Sequence, residues 1–303
     1  MSGALVWGFT DDRGTEVGAA RVPRRVIAYV RAGAALCDLG VTPVAVYGSG
    51  HDDDVLDPAK EGGLRAAAVT YLGPGRRLDE APLRELRPDV IVDVTYDGKS
   101  PYALDEAVVE RLGVPLVALS VGNELTLPAI LDRFGELAVS LGAAADAGTA
   151  GADAASGVPD AGAGAEADPG GGSVSRAGLR AAEDALREAA DRSALTVLAL
   201  SGAGPDQVHL ARPQAWPELA HLAELGVRLV DPGPGPGANW LTGDWARAAE
   251  LRPDLVLFDS RAHATAPDEV LAGIRSTPWN PETPPSPAAY ARFFRELAEA
   301  LAA

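Results

Sequence analysis

The sequence predicts an α/β fold: two lobes, each built on a parallel sheet, joined by one long helix. Three observations carry this reading. Short, continuous Val- and Ile-rich runs alternate with helical patterns from the start of the chain. The same succession returns, in order, in the second half. A single long amphipathic stretch separates the two halves.

The elements follow in order. "RRVIAYV" (24–30), "TPVAVYG" (42–48), "DVIVDV" (89–94) and "PLVALS" (115–120) are apolar throughout, as strands buried on both faces of a parallel sheet must be. Helical stretches such as "AGAALCDLG" and "LDEAPLREL" lie between them. In the second half, "LGVRLVDPGP" (225–234) echoes "LGVTPVAVYG" (39–48), and "LRPDLVLFDSRA" (251–262) echoes "LRPDVIVDVTYD" (86–97). "LTVLALSGAG" (195–204) is a looser partner of "RRVIAYVRAG". The lobes are therefore of similar, Rossmann-like build with different loops.

Between them, "TLPAILDRFGELAVSLG" (126–142) carries Leu127, Ile130, Leu131, Phe134, Leu137, Ala138 and Leu141 at helical spacing. Thr126 suits the N-cap, Pro128 the first turn and Gly142 the stop. Residues 127–141 make a rod of about 22 Å. Residues 143–175 hold five acids, no base and two valines. Such a segment buries too little apolar surface to order itself, so a disordered surface insertion is expected. "SPAAYARFFRELAEALAA" (286–303) is one amphipathic helix, expected to pack back onto the first lobe. The expected organisation is an N-terminal lobe over 1–122, the bridging helix over 123–142, the insertion over 143–175, a C-terminal lobe over 176–285 and the terminal helix over 286–303.

Bulk properties exclude some partners. At 47% hydrophobic residues, 303 residues can fill two cores. A net charge of −17 repels phosphate backbones and anionic membrane surfaces, so nucleic acid is excluded as a partner. Cys37, the single cysteine, cannot form an intrachain disulfide. The N-terminal residues show no basic, apolar leader pattern, and no run reaches the ~20 apolar residues of a membrane span. A cytoplasmic location without membrane insertion is the expectation.

With two α/β lobes, a bridging helix, the "FTDDRG" opening and the twin "LRPD" segments in place, the chain resembles the ferric-siderophore and cobalamin class of ABC-transporter solute-binding proteins. The resemblance spans nearly the whole chain, apart from 143–175 and a shortened stretch near 266–278. It implies lobes that close over a ligand in the cleft between them, with little hinge motion because the helix resists bending. It also implies a permease-docking glutamate on each lobe, seven residues before the Pro of each repeated "PD". Those positions are Ala81 and Ala246, and only Glu80 lies near. Permease docking is therefore not expected.

Ligands of open α/β sheets gather at the carboxyl ends of strands. In the first lobe those ends offer Tyr29, Arg31, Tyr47, His51 and Tyr96. In the second they offer Arg212, Trp216, Asn239, Trp240, Asp259, Arg261, His263 and Trp279. The loop "VDPGPGPGANW" (230–240) has no phosphate-cradling motif, and its prolines make it stiff enough to aim Asn239 and Trp240. Arg31, Arg212 and Arg261, if convergent, suit a carboxylate-bearing chelate or organic acid; singly, each suits pairing with a nearby acid. The aromatic residues suit stacking on a flat ligand, or packing between the lobes. The histidines are scattered, so neither a direct metal site nor a resident cofactor is expected, and ferric iron enters only within a chelate. His51, Tyr96, Asp259 and His263 are the acid–base candidates if the scaffold carries a reaction.

Three readings follow. The first is a cytoplasmic solute-binding-protein homologue holding a small organic ligand or ferric chelate. The second is a biosynthetic enzyme, cyclase- or lyase-like, on the same scaffold. The third is a transporter component with its leader removed.

Overall fold

The computed structural model describes residues 6–144, 176–266, 271 and 273–303. The insertion expected over 143–175 lies outside the described residues except for its first two positions. The first lobe runs β1 (Trp7–Thr10), β2 (Glu16–Ala19), β3 (Val26–Tyr29), α1 (Val30–Asp38), β4 (Ala45–Gly48), β5 (Thr70–Pro74), α2 (Glu80–Leu86), β6 (Val90–Thr95), α3 (Glu106–Leu112) and β7 (Leu116–Ser120). After α4 (Leu127–Ser140) come α5 (Arg176–Arg192), β8 (Thr196–Gly204), β9 (Gln207–Ala211), α6 (Pro217–Glu224), β10 (Arg228–Leu229), β11 (Trp240–Gly243), α7 (Trp245–Glu250), β12 (Leu255–Asp259), β13 (Arg275–Trp279) and α8 (Pro287–Ala302).

The first lobe's main sheet has the order β5-β4-β3-β6-β7, and every pairing is parallel. Every residue of β3, β4, β6 and β7 is buried, which is why these strands read as unbroken apolar runs. The chain crosses from one side of β3 to the other between β5 and β6. That switch point opens a crevice at the carboxyl ends of β3 and β6. β1 and β2 form a separate antiparallel hairpin.

The second sheet is mixed rather than wholly parallel. Its order is β11-β9-β8-β12-β13, with β10 also on β8. β8, β10, β12 and β13 pair in parallel, whereas β9 and β11 join antiparallel. The cause is local. Only Pro205 and Asp206 separate β8 from β9, and so short a connection makes a hairpin, never a crossover. The repeat beginning at 225 keeps only two strand residues, because the Pro-Gly run that follows lacks the amide donors a longer ladder needs.

Helix α4 joins the lobes by feeding both cores. Leu127 and Leu131 pack in the second lobe's cluster, and Ile130, Phe134, Leu137 and Ala138 in the first lobe's. Its cap is as the sequence predicts: the Thr126 hydroxyl accepts from the Ala129 N–H. Helix α8 differs from expectation. Tyr290, Phe294, Leu297 and Leu301 share a cluster with Leu179, Ala182 and Leu186 of α5, so α8 packs on the second lobe. Two amphipathic helices with matching apolar stripes cover each other more fully than either covers a sheet edge. The N-terminal turns of α8 also reach the first lobe, where the Ser286 hydroxyl donates to Asp38 at 2.5 Å and Tyr290 hydrogen-bonds with Arg31.

Candidate functional site

The carboxyl ends of the two sheets face each other across a cavity of about 300 Å³. The first lobe lines it with His51 after β4 and with Tyr96 and Tyr102 after β6; the second lines it with Trp216, Trp240, Arg261, His263, Pro281 and Glu282. The walls differ in chemistry. On the first lobe Tyr96 stands edge-on to Tyr102, ring centroids 4.8 Å apart, with Tyr29 and then Tyr47 stacked behind. On the second lobe Trp216 and Trp240 stand edge-on at 4.8 Å, both backed by Trp279. Edge-to-face contacts of this kind add about 0.5–1.5 kcal/mol per pair beyond area burial and fix ring orientation.

Buried polar groups hold the tyrosine wall. The Asp93 carboxylate accepts from Tyr47 and from the backbone N–H groups of Ala103 and Leu104, fixing the loop that carries Tyr102. Burial raises the Asp93 carboxyl to about 6, against the pull of those hydrogen bonds. Tyr96 accepts from the Arg31 guanidinium at 3.0 Å. Burial raises the Tyr96 hydroxyl to about 12, so it stays protonated as a donor.

The floor of the cavity is an ion network that spans the lobes. Lys60 is fully buried and sits 2.7 Å from both Asp52 of its own lobe and Glu282 of the other. Glu282 also accepts from the Tyr29 hydroxyl at 2.6 Å and from Arg261 at 2.9 Å. Arg261 in turn forks onto Asp259. Burial opposes the Glu282 charge, yet Lys60 and Arg261 outweigh it and hold the carboxyl at about 2. Around this network, residues 280–286 strap the second lobe to the first. Asn280 donates to the Ala59 carbonyl, and Arg31 donates to the Thr283 carbonyl.

Of the sequence-predicted residues, His51, Tyr96, Trp216, Trp240, Arg261 and His263 line the cavity. The others do not. Tyr29 and Tyr47 are fully buried behind Tyr102. Trp279 lies beneath Trp216 and Trp240. Asp259 is buried and spent on Arg261. The three arginines do not converge on a ligand. Arg31 is buried between Tyr96 and Thr283. Arg212 donates to the carbonyls of Gly233, Gly235 and Gly237 and so shapes the Pro-Gly loop from within. Asn239 contributes its main-chain carbonyl, which accepts from the Arg212 N–H and the Trp216 indole. Gly233 and Gly237 take left-handed backbone (φ 89° and 91°), turning their carbonyls inward where another residue would be strained.

Burial and the neighbouring Arg261 lower the His263 pKa, keeping the ring neutral near pH 7. Among the described residues, no group of three or more His, Cys, Asp or Glu side chains is arranged to hold a metal ion. Among the described residues, no hydrogen bond joins the side chain of any of the four acid–base candidates to a serine or cysteine side chain. Sequence reasoning missed Lys60, Glu282, Tyr102 and Asp93. Lys60 left one signal: arginine dominates the cations here, and lysine occurs only at 60 and 99. Glu282 left none, since "WNPETPPSP" reads as an ordinary loop.

No protein-family model matches the sequence, and no curated protein matches it. Solved structures do. The chain is similar to DesE, a ferric-siderophore receptor protein from Streptomyces coelicolor, with 26% identity, 98% of each chain covered and a TM-score of 0.80. It is also similar to the heme-binding protein RhuT from Roseiflexus sp. RS-1, with 16% identity over 92% of this chain and 98% of that one and a TM-score of 0.59. The siderophore periplasmic binding protein from the fuscachelin gene cluster of Thermobifida fusca has 16% identity over 92% and 96%, at a TM-score of 0.56. The fold is that of the class III, helical-backbone solute-binding proteins.

Proposed function

We propose that this chain is a solute-binding protein that holds a small organic ligand or a ferric chelate between its lobes. The observation that carries the reading is the inter-lobe cavity, faced with tyrosine on one side and tryptophan on the other. Its size lies at the lower end for small-molecule sites, and its aromatic walls stand beside a few charged and polar groups that can orient a ligand. The likeness to DesE, at full coverage of both chains, supports a ferric siderophore as the ligand class. Of the acid–base candidates, Asp259 is taken up by Arg261, which favours binding over turnover.

We also propose that the chain does not dock on a permease through a pair of glutamates. Ala81 and Ala246 are exposed on α2 and α7, and the adjacent Glu80 is committed to Arg84 and Arg111. Native mass spectrometry of protein purified from its own host tests the function. The expected result is a small-molecule adduct in wild type that Trp240→Ala fails to retain. Protein at its bare polypeptide mass, unaltered by growth in iron-limited medium, contradicts the proposal.

A further inference from the structure

Resting on the solute-binding reading, we infer that the cleft selects its ligand by charge: it takes an uncharged or cationic chelate and turns away an anionic one. The cations at the floor are already matched with carboxylates inside the protein. Lys60 lies 2.7 Å from Asp52 and 2.7 Å from Glu282; Arg261 is bonded to Asp259 at 2.7 Å and to Glu282 at 2.9 Å. Arg261 is the only lysine or arginine on the lining among the described residues, and Glu282 is beside it with its carboxylate ionised. An anion entering here meets no unshared positive charge. To gain one it must displace Asp259 from Arg261, stranding a carboxylate in a buried site, or pull Glu282 away and leave it to Lys60 and Tyr29 alone; either step costs a buried ion pair. Arg31 and Arg212 offer no alternative. Arg31 lies behind the Tyr96 ring, and Arg212 is bonded to three loop carbonyls.

The other lining groups point the same way. Tyr96, Tyr102, Trp216 and Trp240 give the lining aromatic surface, whose ring faces suit cations and apolar groups rather than anions. His263 supplies a neutral imidazole for hydrogen bonding rather than an ion. Beyond the cleft, the net charge of −17 sets a field that gathers cations and repels anions, an effect strongest at low salt.

The test is a titration of purified protein with ferric chelates of similar size and different charge. The panel is a tris-hydroxamate bearing a pendant amine, a neutral tris-hydroxamate and a trianionic tris-catecholate. Quenching of tryptophan fluorescence is followed at low and high salt. The cationic and neutral chelates are expected to bind at least about 10-fold more tightly than the trianion, with the cation's advantage shrinking as salt rises. If the trianion binds as well as the neutral chelate or better, charge selection is overturned while the solute-binding function stands. If none of the three binds, the ferric-chelate reading falls, and this inference with it.

Discussion

The two ties between the lobes are built on opposite principles. Helix α4 is an apolar rod whose side chains enter both cores. Residues 280–286 form a polar strap: Asn280, Glu282, Thr283 and Ser286 reach Ala59, Lys60, Tyr29, Arg31 and Asp38 of the first lobe through hydrogen bonds and one buried ion pair. The apolar tie draws on area removed from water, which is indifferent to pH. The polar tie is specific in geometry and fragile in chemistry, because removing one member strands its partners in a dry site. The rod spaces the lobes, and the strap fixes which residues face the cleft.

The largest expected effect comes from breaking either tie at its centre. Glu282→Ala takes a carboxylate from Lys60, Arg261 and Tyr29 and should cost about 3–5 kcal/mol in denaturant unfolding. Phe134→Ala, at a fully buried position of α4, should cost about 3–5 kcal/mol as well. The losses are similar in size but different in kind, and pH separates them. Glu282 titrates at about 2 in the folded protein against an ordinary 4.5, so its stabilisation is present above pH 4.5 and is lost as pH falls through 2. The difference between wild type and Glu282→Ala should therefore shrink in acid over that window, while the Phe134→Ala difference should not change with it. Unfolding curves for both variants across that range check this. The smallest effect is at the rod's end: Thr126→Ala removes one cap hydrogen bond and should cost about 1 kcal/mol by the same measurement.

The contrast also explains what the sequence made legible. Helix α4 announced itself because an apolar stripe has a period, and its cap and stop residues have known chemistry. Strands β3, β4, β6 and β7 of the first lobe were readable for a related reason: burial on both faces leaves no polar interruption. The hairpin at Pro205 and the relocation of α8 needed knowledge of which surfaces meet, which periodicity does not contain. At the site, six of the residues named from strand ends, His51, Tyr96, Trp216, Trp240, Arg261 and His263, lie on the cavity lining. The strap was invisible. Its bonds join residues more than 200 positions apart, as in Tyr29 to Glu282 and Asn280 to Ala59, and no local pattern encodes such pairs. Arg212 shows the converse error. A guanidinium at a strand end fits a ligand or a neighbouring loop equally well, and three inward carbonyls of its own loop took it.

The account depends on a guest held against the Trp216–Trp240 edge of the cleft. Titrating wild type and Trp240→Ala with a neutral ferric tris-hydroxamate, with binding read by calorimetry, tests this most directly. The account predicts a saturable, single-site isotherm in wild type and an affinity weaker by about 10-fold or more in the variant, since a buried tryptophan anchor is worth over 1 kcal/mol. Equal affinity in both proteins, or heat in neither, contradicts it.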